Sequence, residues 1–538
     1  MVKHGVPQPI DLSRGEERQQ IIALLNAIRE LPKDVKDFSP VLRRYPAPEG
    51  SYAKSQLLGA YHTLVAEGAL EPDPALERKL RARPVRTISG VAPVAVLTEP
   101  YDCPGVCLFC PNQRQAPKSY LDGEPGVLRA LQYHYDPYEQ TAGRIQALTA
   151  IGHPADKVEL LILGGTWSAY PLAYQEHFLR RCFDAMNEGD PSSTLAEALH
   201  RNESAPHRNV GLVIETRPDW ITPEEVLRLR SYGVTKVQLG AQSLDDRILL
   251  LNQRGHTLAQ TYDAVRRLRL AGFKLVLHWM PNLYGATPES DLEDFARLWD
   301  NPRLRPDEIK IYPTALLEGT GLYELWQQGT YAPYSEETLI ALIGQCKTLI
   351  QPYCRVNRLM RDIPADYIVA GSKKSNLRQL VQAWMADHDL TCRCIRCREI
   401  RGQETVDLAQ AHLETVTYDT DATREHFLQY LTPSGHLAGF LRLSLPKAPR
   451  DEILIPEIRR AAMIREVHVY GPAQLLGRQG RGMQHRGLGT HLLEEAARLS
   501  VEAGFEELAV IAAVGTRPYY RERGFTEGVL YPIRPLKA

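Results

Sequence analysis

The sequence of 538 residues contains no apolar run of about 18 residues, so we expect no membrane-spanning helix. The first segment, MVKHGVPQPIDLSRGEER, has no apolar stretch after its positive residues, and we therefore expect no secretory signal there. Neither sign of charge is in excess, because 64 Lys and Arg face 65 Asp and Glu. This balance excludes a uniformly basic nucleic-acid coat but not local basic patches. With the cysteine pattern described next, these absences predict a cytoplasmic protein.

Repeats and low-complexity tracts are absent as well. The contents of 43% hydrophobic and 24% charged residues are those of a folded globular protein, and the length corresponds to about three or four domains. The nine cysteines are an odd number, and most of them form two tight groups, which argues against a disulfide framework. The groups instead indicate metal or cluster ligation in a reducing compartment.

Patterns along the chain divide it into four regions. Residues 1–86 space their apolar residues three and four apart, which predicts helices. Residues 87–350 alternate short apolar runs with amphipathic segments, which predicts parallel βα units. Residues 351–405 form a basic linker, and residues 406–538 alternate strand and helix patterns typical of an α+β domain. The six apolar runs of the second region are 91–97, 157–165, 210–216, 236–243, 274–282 and 308–313. Six units are too few for an eight-unit barrel, so we expect an open, partial (βα)6 barrel of the TIM type, with its active site at the C-terminal strand ends.

The first cysteine group, Cys103, Cys107 and Cys110, has the spacing C-x3-C-x2-C and directly follows the first predicted strand. Three thiolates on one loop hold three irons of a 4Fe–4S cluster and leave the fourth iron open for a substrate ligand. A structural zinc site is the alternative, but it requires four protein ligands in a closed tetrahedron. The motif therefore favours an iron–sulfur cluster.

This motif and the strand ends after it resemble the radical S-adenosylmethionine (SAM) superfamily. In that family the open iron binds SAM, which is cleaved to a 5′-deoxyadenosyl radical, and the protein supplies position and excludes water. Polar or glycine-containing segments end the second, third and fourth predicted strands here. The resemblance implies SAM contacts from residues of these strand ends, namely Gly164, Gly165, Thr166, Thr216, Arg217 and Gln242.

A Q-x-x-G-x-G motif opens a predicted helix in the last region. Glycines let the backbone approach a pyrophosphate, and a helix N-terminus offers free N–H donors. The order of strand, glycine loop, helix and strand resembles the GNAT acetyltransferase superfamily. The resemblance implies that acetyl-CoA contacts Glu466, Val467, His468, Val469, Gln484, Gly487, Leu488, Gly489 and Thr490, and that Tyr519 and Tyr520 act near the thioester. From the residues alone, His468 is equally a buried core histidine.

The two domains together resemble the family of the catalytic subunit of Elongator, the tRNA carboxymethyluridine synthases, over nearly the full length. The segments that match most clearly are 83–90, 356–364, 373–378 and 515–520. The resemblance implies that the adenosyl radical takes hydrogen from the methyl group of acetyl-CoA, that this carbon joins carbon five of the wobble uridine, and that the thioester is then hydrolysed. It also implies that Lys157 helps to hold acetyl-CoA. The short gap between Cys103 and Cys107 differs from eukaryotic members and suggests a stand-alone prokaryotic form.

Basic patches predict an RNA substrate. Phosphate contacts supply affinity, while a base of a loop is splayed into a pocket, so a tRNA anticodon stem-loop fits better than a duplex. We expect phosphate contacts from an N-terminal group, Arg78, Lys79, Arg81, Arg83 and Arg86, and from a linker group, Arg355, Arg358, Arg361, Lys373, Lys374 and Arg378. Solvated helix faces are the alternative. The expected partners are tRNA and an electron donor for the cluster, with no membrane and without other Elongator subunits.

The second cysteine group, Cys392, Cys394 and Cys397, lies in the basic linker. Three close thiolates predict a structural zinc that stabilises a short segment without its own core. A fourth ligand is required, and the candidates are Cys346, Cys354 and His388. A second iron–sulfur site and three unligated cysteines are the alternatives.

Two other functions are compatible with the motifs. One is a protein lysine acetyltransferase in which the cluster domain is only structural. The other is a non-catalytic tRNA-binding scaffold. The basic patches favour RNA as the substrate, so the tRNA-modifying enzyme is the leading hypothesis.

Overall fold

Four helices precede the first long strand and form a small domain of their own. The computed structural model describes residues 10–32, 37–47, 50–80, 90–400, 410–470 and 487–536. The N-terminal helices are α1 (Gly15–Glu30), α2 (Ser39–Leu42), α3 (Lys54–Ala66) and α4 (Pro74–Leu80). Their shared core contains the residues whose spacing predicted helices, such as Ile21, Leu24, Leu25 and Ile28. The helical prediction for this region is confirmed.

The central domain is a parallel sheet curved into an open barrel. Its strands are β1 (Ala92–Leu97), β2 (Lys157–Leu163), β3 (Arg208–Thr216), β4 (Lys236–Gln242), β5 (Lys274–Trp279), β6 (Glu308–Ile311), β7 (Leu316–Leu317), β8 (Arg355–Arg358) and β9 (Ile368–Ala370). The sheet order is β1-β2-β3-β4-β5-β6-β8, and every neighbouring pair is parallel. β7 and β9 form a separate antiparallel pair. Within the described residues β1 and β8 do not pair with each other, so the barrel stays open.

Helices connect these strands. They are α5 (Pro125–Gln132), α6 (Pro137–Ala150), α7 (Leu172–Asn187), α8 (Leu195–Arg201), α9 (Pro223–Ser231), α10 (Asp246–Leu251), α11 (Leu258–Leu270), α12 (Pro288–Asp300), α13 (Gly321–Gln327), α14 (Glu336–Leu349), α15 (Leu377–Asp387) and α16 (Ile395–Arg398). Threonines begin α9, α11 and α12, and each threonine hydroxyl accepts a hydrogen bond from a backbone N–H of the first turn. No helix of the described chain combines the length and apolar character needed to cross a membrane.

All six predicted strands are present, and β8 adds a seventh that the sequence analysis assigned to the linker. β8 reads Arg-Val-Asn-Arg, which is not an apolar run. Val356 is buried in the main core, whereas Arg355 and Asn357 line the interior of the barrel. A strand that borders a polar cavity need not be apolar, and this is why its sequence pattern does not predict it.

The C-terminal α+β domain is confirmed as a second sheet. It contains β10 (His412–Asp419), β11 (Thr423–Leu431), β12 (Leu437–Pro446), β13 (Ala461–Val469), α17 (Leu488–Glu502), β14 (Glu507–Val510), α18 (Arg517–Arg521), β15 (Thr526–Glu527) and β16 (Pro532–Pro535). The order is β10-β11-β12-β13-β14-β16-β15, in which β10 to β13 form an antiparallel meander and β13 pairs with β14 in parallel.

The C-terminal domain covers the floor of the barrel, by which we mean the end where the parallel strands begin. Both Nη atoms of Arg465 lie 2.7 Å from the carboxylate oxygens of Asp307, which directly precedes β6. The Tyr531 hydroxyl donates to the carbonyl of Ala271 at 2.7 Å, just before β5. The largest hydrophobic core contains residues of both domains, so they form one packed body.

Candidate active site

A single cavity of about 1070 Å³ runs through the barrel from top to floor. All seven strands of the barrel contribute to its wall, and so do Cys110 at the top and Glu466 and Tyr520 of the C-terminal domain at the floor. Alternate residues of a strand face the same side. Glu308, Lys310 and Tyr312 therefore follow one another up the wall over about 13 Å. The two domains expected to carry chemistry thus share one interior space.

The first cysteine group lies on a loop at the top of this cavity, directly after β1. The Cys103 Sγ is 3.7 Å from the Thr166 hydroxyl oxygen, and the Arg254 Nη1 is 3.4 Å from the Cys107 Sγ. Burial raises the pKa of the Cys110 thiol to about 12, with a further contribution from Cys107. Cys110 lines the top end of the cavity, and Cys107 and Cys103 lie close enough to raise the pKa of its thiol. The loop is at the C-terminal edge of the sheet, where the sequence placed it.

The predicted SAM residues meet at the same edge. Gly164 and Gly165 have φ values of 139° and 93°, and a Cβ at Gly164 would overlap the Thr98 hydroxyl. The Thr216 hydroxyl donates to Ser168 at 2.8 Å, and Arg217 forms a two-point ion pair with Asp219. These strand ends leave polar atoms pointing at the loop of the cysteines.

Several of these polar atoms are buried without a hydrogen-bond partner among the described residues. They are the Arg217 Nη1, the Gln242 Oε1, the Arg254 Nε and both ring nitrogens of His256. A buried polar atom without a partner is costly, so its presence in a native site calls for a ligand. An anionic iron–sulfur cluster with SAM, which carries amino, carboxylate and ribose groups, matches this set of donors and acceptors.

Arg254 and His256 were not predicted from the sequence. Burial, followed by the neighbouring guanidinium groups of Arg254 and Arg217, lowers the pKa of His256 to about 2. The imidazole is therefore neutral at physiological pH. In the sequence, Arg254 and His256 lie in a polar segment before an amphipathic stretch. Such a segment is typical of a surface loop and does not indicate a binding site.

At the floor, β13 and β14 pair over only part of their length. Their parallel pairing covers Ala461–Ile464 opposite Glu507–Val510 and does not extend along the second half of β13. Gly487, with a φ of 82°, begins α17 beside that second half. The residues expected to contact acetyl-CoA, apart from Gln484, therefore lie around one cleft. Gln484 lies outside the described residues.

The tyrosine pair and Lys157 border the same region. The hydroxyl of Tyr519 lies so close to Gly489 that a Cβ there would approach it to 2.7 Å, and Tyr520 lines the cavity with its pKa raised by burial. Lys157 begins β2 opposite Arg208, against which Gly515 of the C-terminal domain packs. Burial lowers the pKa of Lys157. The structure thus brings the lysine and the tyrosines to the floor end of the cavity.

Glu466 belongs to a network of charges at the floor. Its carboxylate contacts the ammonium of Lys274 and accepts from the Arg442 Nε at 2.9 Å. Lys274 also lies 3.3 Å from Glu308, which Lys236 approaches to 3.4 Å. Burial opposes ionisation of Glu466, yet Lys274 and Arg442 lower its pKa to about 2. At neutral pH Glu466 is therefore a paired carboxylate. Burial likewise lowers the pKa of His468 to about 4, and its ring stacks on Phe440.

The basic residues of the linker group fall into two sets, one with partners inside the protein and one exposed at the surface. Arg355 contacts Glu399 at 2.6 Å, Arg361 contacts Glu124 at 2.8 Å, and Arg378 faces the backbone carbonyls of Val356 and Asn357. Arg355 and Arg361 line the cavity. By contrast Lys373 and Lys374 are exposed, and the side chain of Arg358 is 47% exposed.

The N-terminal group is described only in part. The Lys79 Nζ donates to the backbone carbonyls of Arg29 and Leu31, at 2.8 and 2.6 Å, and so holds the C-terminal end of α1. Arg81, Arg83, Arg86 and the side chain of Arg78 lie outside the described residues.

The second cysteine group is a compact trio. Cys392, Cys394 and Cys397 have their sulfur atoms within 4.8 Å of one another, and the three are the one such group of metal-ligating side chains in the described ranges. The Ile395 N–H donates to the carbonyl of Cys354 at 2.9 Å, which places Cys354 beside the trio, whereas the His388 Nδ1 faces the Trp384 carbonyl. Soft thiolates at this spacing fit zinc.

Comparisons with known proteins agree with this architecture. A family model described as the radical SAM superfamily matches residues 100–298, and one described as the radical SAM C-terminal domain matches residues 306–387. The open barrel, its cysteine loop and these matches define the chain as a radical SAM protein.

Closer relatives cover both domains. The tRNA uridine(34) acetyltransferase of Dehalococcoides mccartyi (strain CBDB1) is 43% identical over 82% of this chain and 96% of that protein. Elongator complex protein 3 of Danio rerio is 36% identical and covers 98% of each chain. The solved structure of archaeal Methanocaldococcus infernus Elp3, with an N-terminal deletion (1–46), has a TM-score of 0.74 and 38% identity, and covers 84% of this chain and 100% of that one. The chain belongs to the family of Elongator complex protein 3 and the tRNA uridine(34) acetyltransferases.

Proposed function

We propose that this protein uses SAM radical chemistry and acetyl-CoA to place a carboxymethyl group on carbon five of the wobble uridine of tRNA. The observation that carries this proposal is the shared cavity, which has the cysteine loop at one end and the second half of β13 at the other. The printed names of the relatives support tRNA uridine 34 as the target. An external electron donor is required, and other Elongator subunits are not.

The residues at the top of the cavity would hold the cluster and SAM. Cys103, Cys107 and Cys110 would ligate three irons, and the strand-end residues would bind SAM. The cluster would supply the one-electron reduction of SAM that starts the radical chemistry on the methyl group of acetyl-CoA. The walls of the barrel keep this chemistry away from bulk water.

The floor holds acetyl-CoA. The first N–H groups of α17 have no partner within the helix, as at any helix N-terminus, and such a terminus can bind a pyrophosphate. The part of β13 beyond Ile464, which is not paired with β14, borders the place that we propose for the pantetheine arm, beside Tyr520. Lys157 and Tyr519 border the cleft. Acetyl-CoA bound there would have its acetyl group towards the interior of the barrel, because Tyr520 lines the cavity.

Lys310 lies between the two ends. Its ammonium contacts no carboxylate within the described parts of the chain, and it lies 5.7 Å from the centre of the Tyr312 ring. We propose that Lys310 faces the thioester carbonyl or the carboxylate released when the thioester is hydrolysed, because an unpaired cation in a low-dielectric space stabilises developing negative charge.

The wobble base enters from the surface. Arg358, Lys373 and Lys374 remain exposed near the open side of the barrel, and we propose them as phosphate contacts of the anticodon loop. We propose that Arg355, Arg361 and Arg378 have a structural role in the barrel and do not contact phosphate as surface cations. A loop base splayed out of its stack reaches a cavity that no duplex base can enter.

The geometry at Glu466 argues against the alternative of a protein lysine acetyltransferase. Such an enzyme needs a base that removes a proton from the attacking amine, and an effective base has a pKa near the working pH. Glu466 has a pKa of about 2 and is held by Lys274 and Arg442, so it is a poor base.

The decisive experiment follows carbon from acetyl-CoA to tRNA. Anaerobically reconstituted protein is mixed with SAM, a reductant, unmodified tRNA and acetyl-CoA labelled with ²H₃ and ¹³C in the methyl group. We expect ¹³C in 5-carboxymethyluridine and deuterium in 5′-deoxyadenosine, both measured by mass spectrometry. The Cys103→Ser variant is the control, and it should give neither product.

Two results would reject the proposal. One is acetylated protein without labelled nucleoside, which would establish the acetyltransferase. The other is tRNA binding with neither 5′-deoxyadenosine nor modified uridine in the fully loaded protein, which would establish the scaffold.

We also propose that the trio Cys392, Cys394 and Cys397 binds a structural zinc, with Cys354 as the fourth ligand. The proximity of the three sulfurs and the position of Cys354 support it. The metal would hold α16 against β8.

A further inference from the structure

Arg254 reaches the cysteine loop from the segment between α10 and α11. Its Nη1 is 3.4 Å from the Cys107 Sγ, and its Nη2 donates to the carbonyl of Gly240 at 2.7 Å. The side chain is only 7% exposed. The absence of a side chain at Gly240 makes this approach feasible, because a Cβ there would lie 2.7 Å from the guanidinium.

No carboxylate pairs with Arg254 anywhere in the described chain. Its Nε has no partner either. Burial of an unpaired guanidinium costs several kcal/mol unless a negative group compensates it. The one sulfur in contact is a ligand of the proposed cluster, so the charge of Arg254 is directed at that cluster and not at a protein acid.

We propose that Arg254 is a positioning residue that raises the reduction potential of the iron–sulfur cluster by donating a charge-assisted N–H···S hydrogen bond to Cys107. The inference rests on the proposed cluster at Cys103, Cys107 and Cys110. Hydrogen bonds to the sulfurs and the net charge near a cluster set its potential. One electron adds one negative charge, so a fixed positive donor stabilises the reduced cluster more than the oxidised one.

The test is a redox titration of the full-length, anaerobically reconstituted protein, followed by electron paramagnetic resonance without tRNA or acetyl-CoA. We expect Arg254→Gln to lower the ratio of reduced to oxidised cluster about tenfold at fixed applied potential. A tenfold change corresponds to a midpoint about 59 mV lower for a one-electron couple. Arg305→Gln is the matched control, because this variant loses the same charge. Arg305 donates only to backbone carbonyls near the floor of the barrel.

A role in folding alone predicts a different result. If Arg254 only anchored the loop to Gly240, the cluster-free variant would melt at a lower temperature, and the loaded variant would keep the wild-type potential. We expect the reverse, namely a shifted potential and a cluster-free melting temperature that differs little from wild type. An unchanged potential in Arg254→Gln with full iron and sulfide content would overturn the proposal.

Arg254→Met provides a second measurement if the Gln variant fails to assemble its cluster. Methionine removes both the charge and the N–H donors that face Cys107 and Gly240, so we expect a fall in potential at least as large as in Arg254→Gln. A wild-type potential in fully loaded Arg254→Met would then refute the role of Arg254. The proposed tRNA function can fail separately, because the titration contains no tRNA and detects the cluster directly.

Discussion

Gly164 ends β2 in a backbone conformation that residues with a side chain rarely adopt. Its φ of 139° and the nearby Thr98 hydroxyl leave no room for a Cβ. The next residue, Gly165, has a φ of 93°, and its Cβ would lie 3.2 Å from the carbonyl of Lys118. The pair therefore lets the strand end turn tightly beside the cysteine loop, where SAM is proposed to bind.

We expect Gly164→Ala to reduce SAM affinity at least tenfold, because Thr98 and the strand end must move apart. Equilibrium dialysis with labelled SAM on the loaded protein measures this. Gly435→Ala is the matched control. Gly435 also has a positive φ of 79° but has open space around its Cβ position, so this change costs about 1–2 kcal/mol of stability and no affinity. Equal SAM affinity in the two variants would contradict the assignment of this strand end.

At the scale of residues, the sequence predicted those that belong to motifs. It missed those whose importance comes only from the residues around them in the folded protein. The cysteines and the Gly-Gly pair have a fixed spacing, and spacing is visible in one chain. Arg254 and Lys310 are ordinary basic residues in sequence. They become notable because each is buried without an acidic partner. That environment is formed by residues far apart in the sequence, so the sequence alone does not reveal it.

At the scale of elements, the linker is better described as part of the barrel than as a joint. β8 completes the sheet, and α16 contains Cys397 of the cysteine trio, with Cys394 as its N-cap. The pattern of apolar runs could not predict β8, because the interior that it faces is polar. The trio was visible in the sequence, and the structure brings its sulfurs together.

We expect the purified protein to contain one zinc ion per chain in addition to the iron, measured by inductively coupled plasma mass spectrometry. Cys394→Ser should abolish the zinc, leave the iron at Cys103, Cys107 and Cys110, and lower the melting temperature. Cys354→Ser should do the same if Cys354 is the fourth ligand. Cys182→Ser is the control. Cys182 is buried in α7, away from the trio in sequence, so this variant should retain the zinc ion. Full zinc content in Cys394→Ser would contradict the site.

At the scale of the whole molecule, buried charges join the two catalytic domains. Arg465 contacts Asp307 and Glu425, and the side chains of all three are at most 1% exposed. Burial alone would raise the pKa of Asp307, but Arg465 and Arg442 outweigh it and hold the pKa below its ordinary value. The interface is therefore stabilised by charged side chains that water does not reach while the two domains are in contact.

We expect Arg465→Met to destabilise the protein by about 3–5 kcal/mol, because it removes the cation that contacts both buried carboxylates, Asp307 and Glu425. Urea denaturation measures the loss. Arg460→Met is the matched control, directly before the same strand, since the ion pair of Arg460 with Glu506 is exposed and is worth about 0–1 kcal/mol. Similar losses in the two variants would refute the role of the buried network.

Acid should weaken the same interface in a defined range. The pKa of Glu466 is lowered to about 2 in the folded protein, from about 4.3 in an unfolded chain. Its stabilising contribution is therefore complete above pH 4.3 and is lost as the pH falls towards 2. We expect Glu466→Gln to show a shallower loss of melting temperature than wild type between these values. Parallel pH profiles would contradict this contribution.

The shared cavity makes the coupling of the two halves testable. Ala95 of β1 lines its middle, so we expect Ala95→Phe to obstruct it. Cleavage of SAM without acetyl-CoA and binding of acetyl-CoA should both remain within about twofold of wild type, while formation of modified uridine falls more than tenfold. Ala95→Ser is the control and should retain all three activities. Retained modification in a folded Ala95→Phe protein would show that the reactants meet elsewhere.

The covered floor of the barrel also has a consequence for biosynthesis. The ribosome releases the barrel strands before the sheet that seals them, since β13 follows β6 by about 150 residues. Until then Asp307 and its neighbours face water, and the nascent barrel lacks much of its core. A chain truncated before β13 should therefore be captured by chaperones or degraded, so that only a finished polypeptide accumulates in the cell.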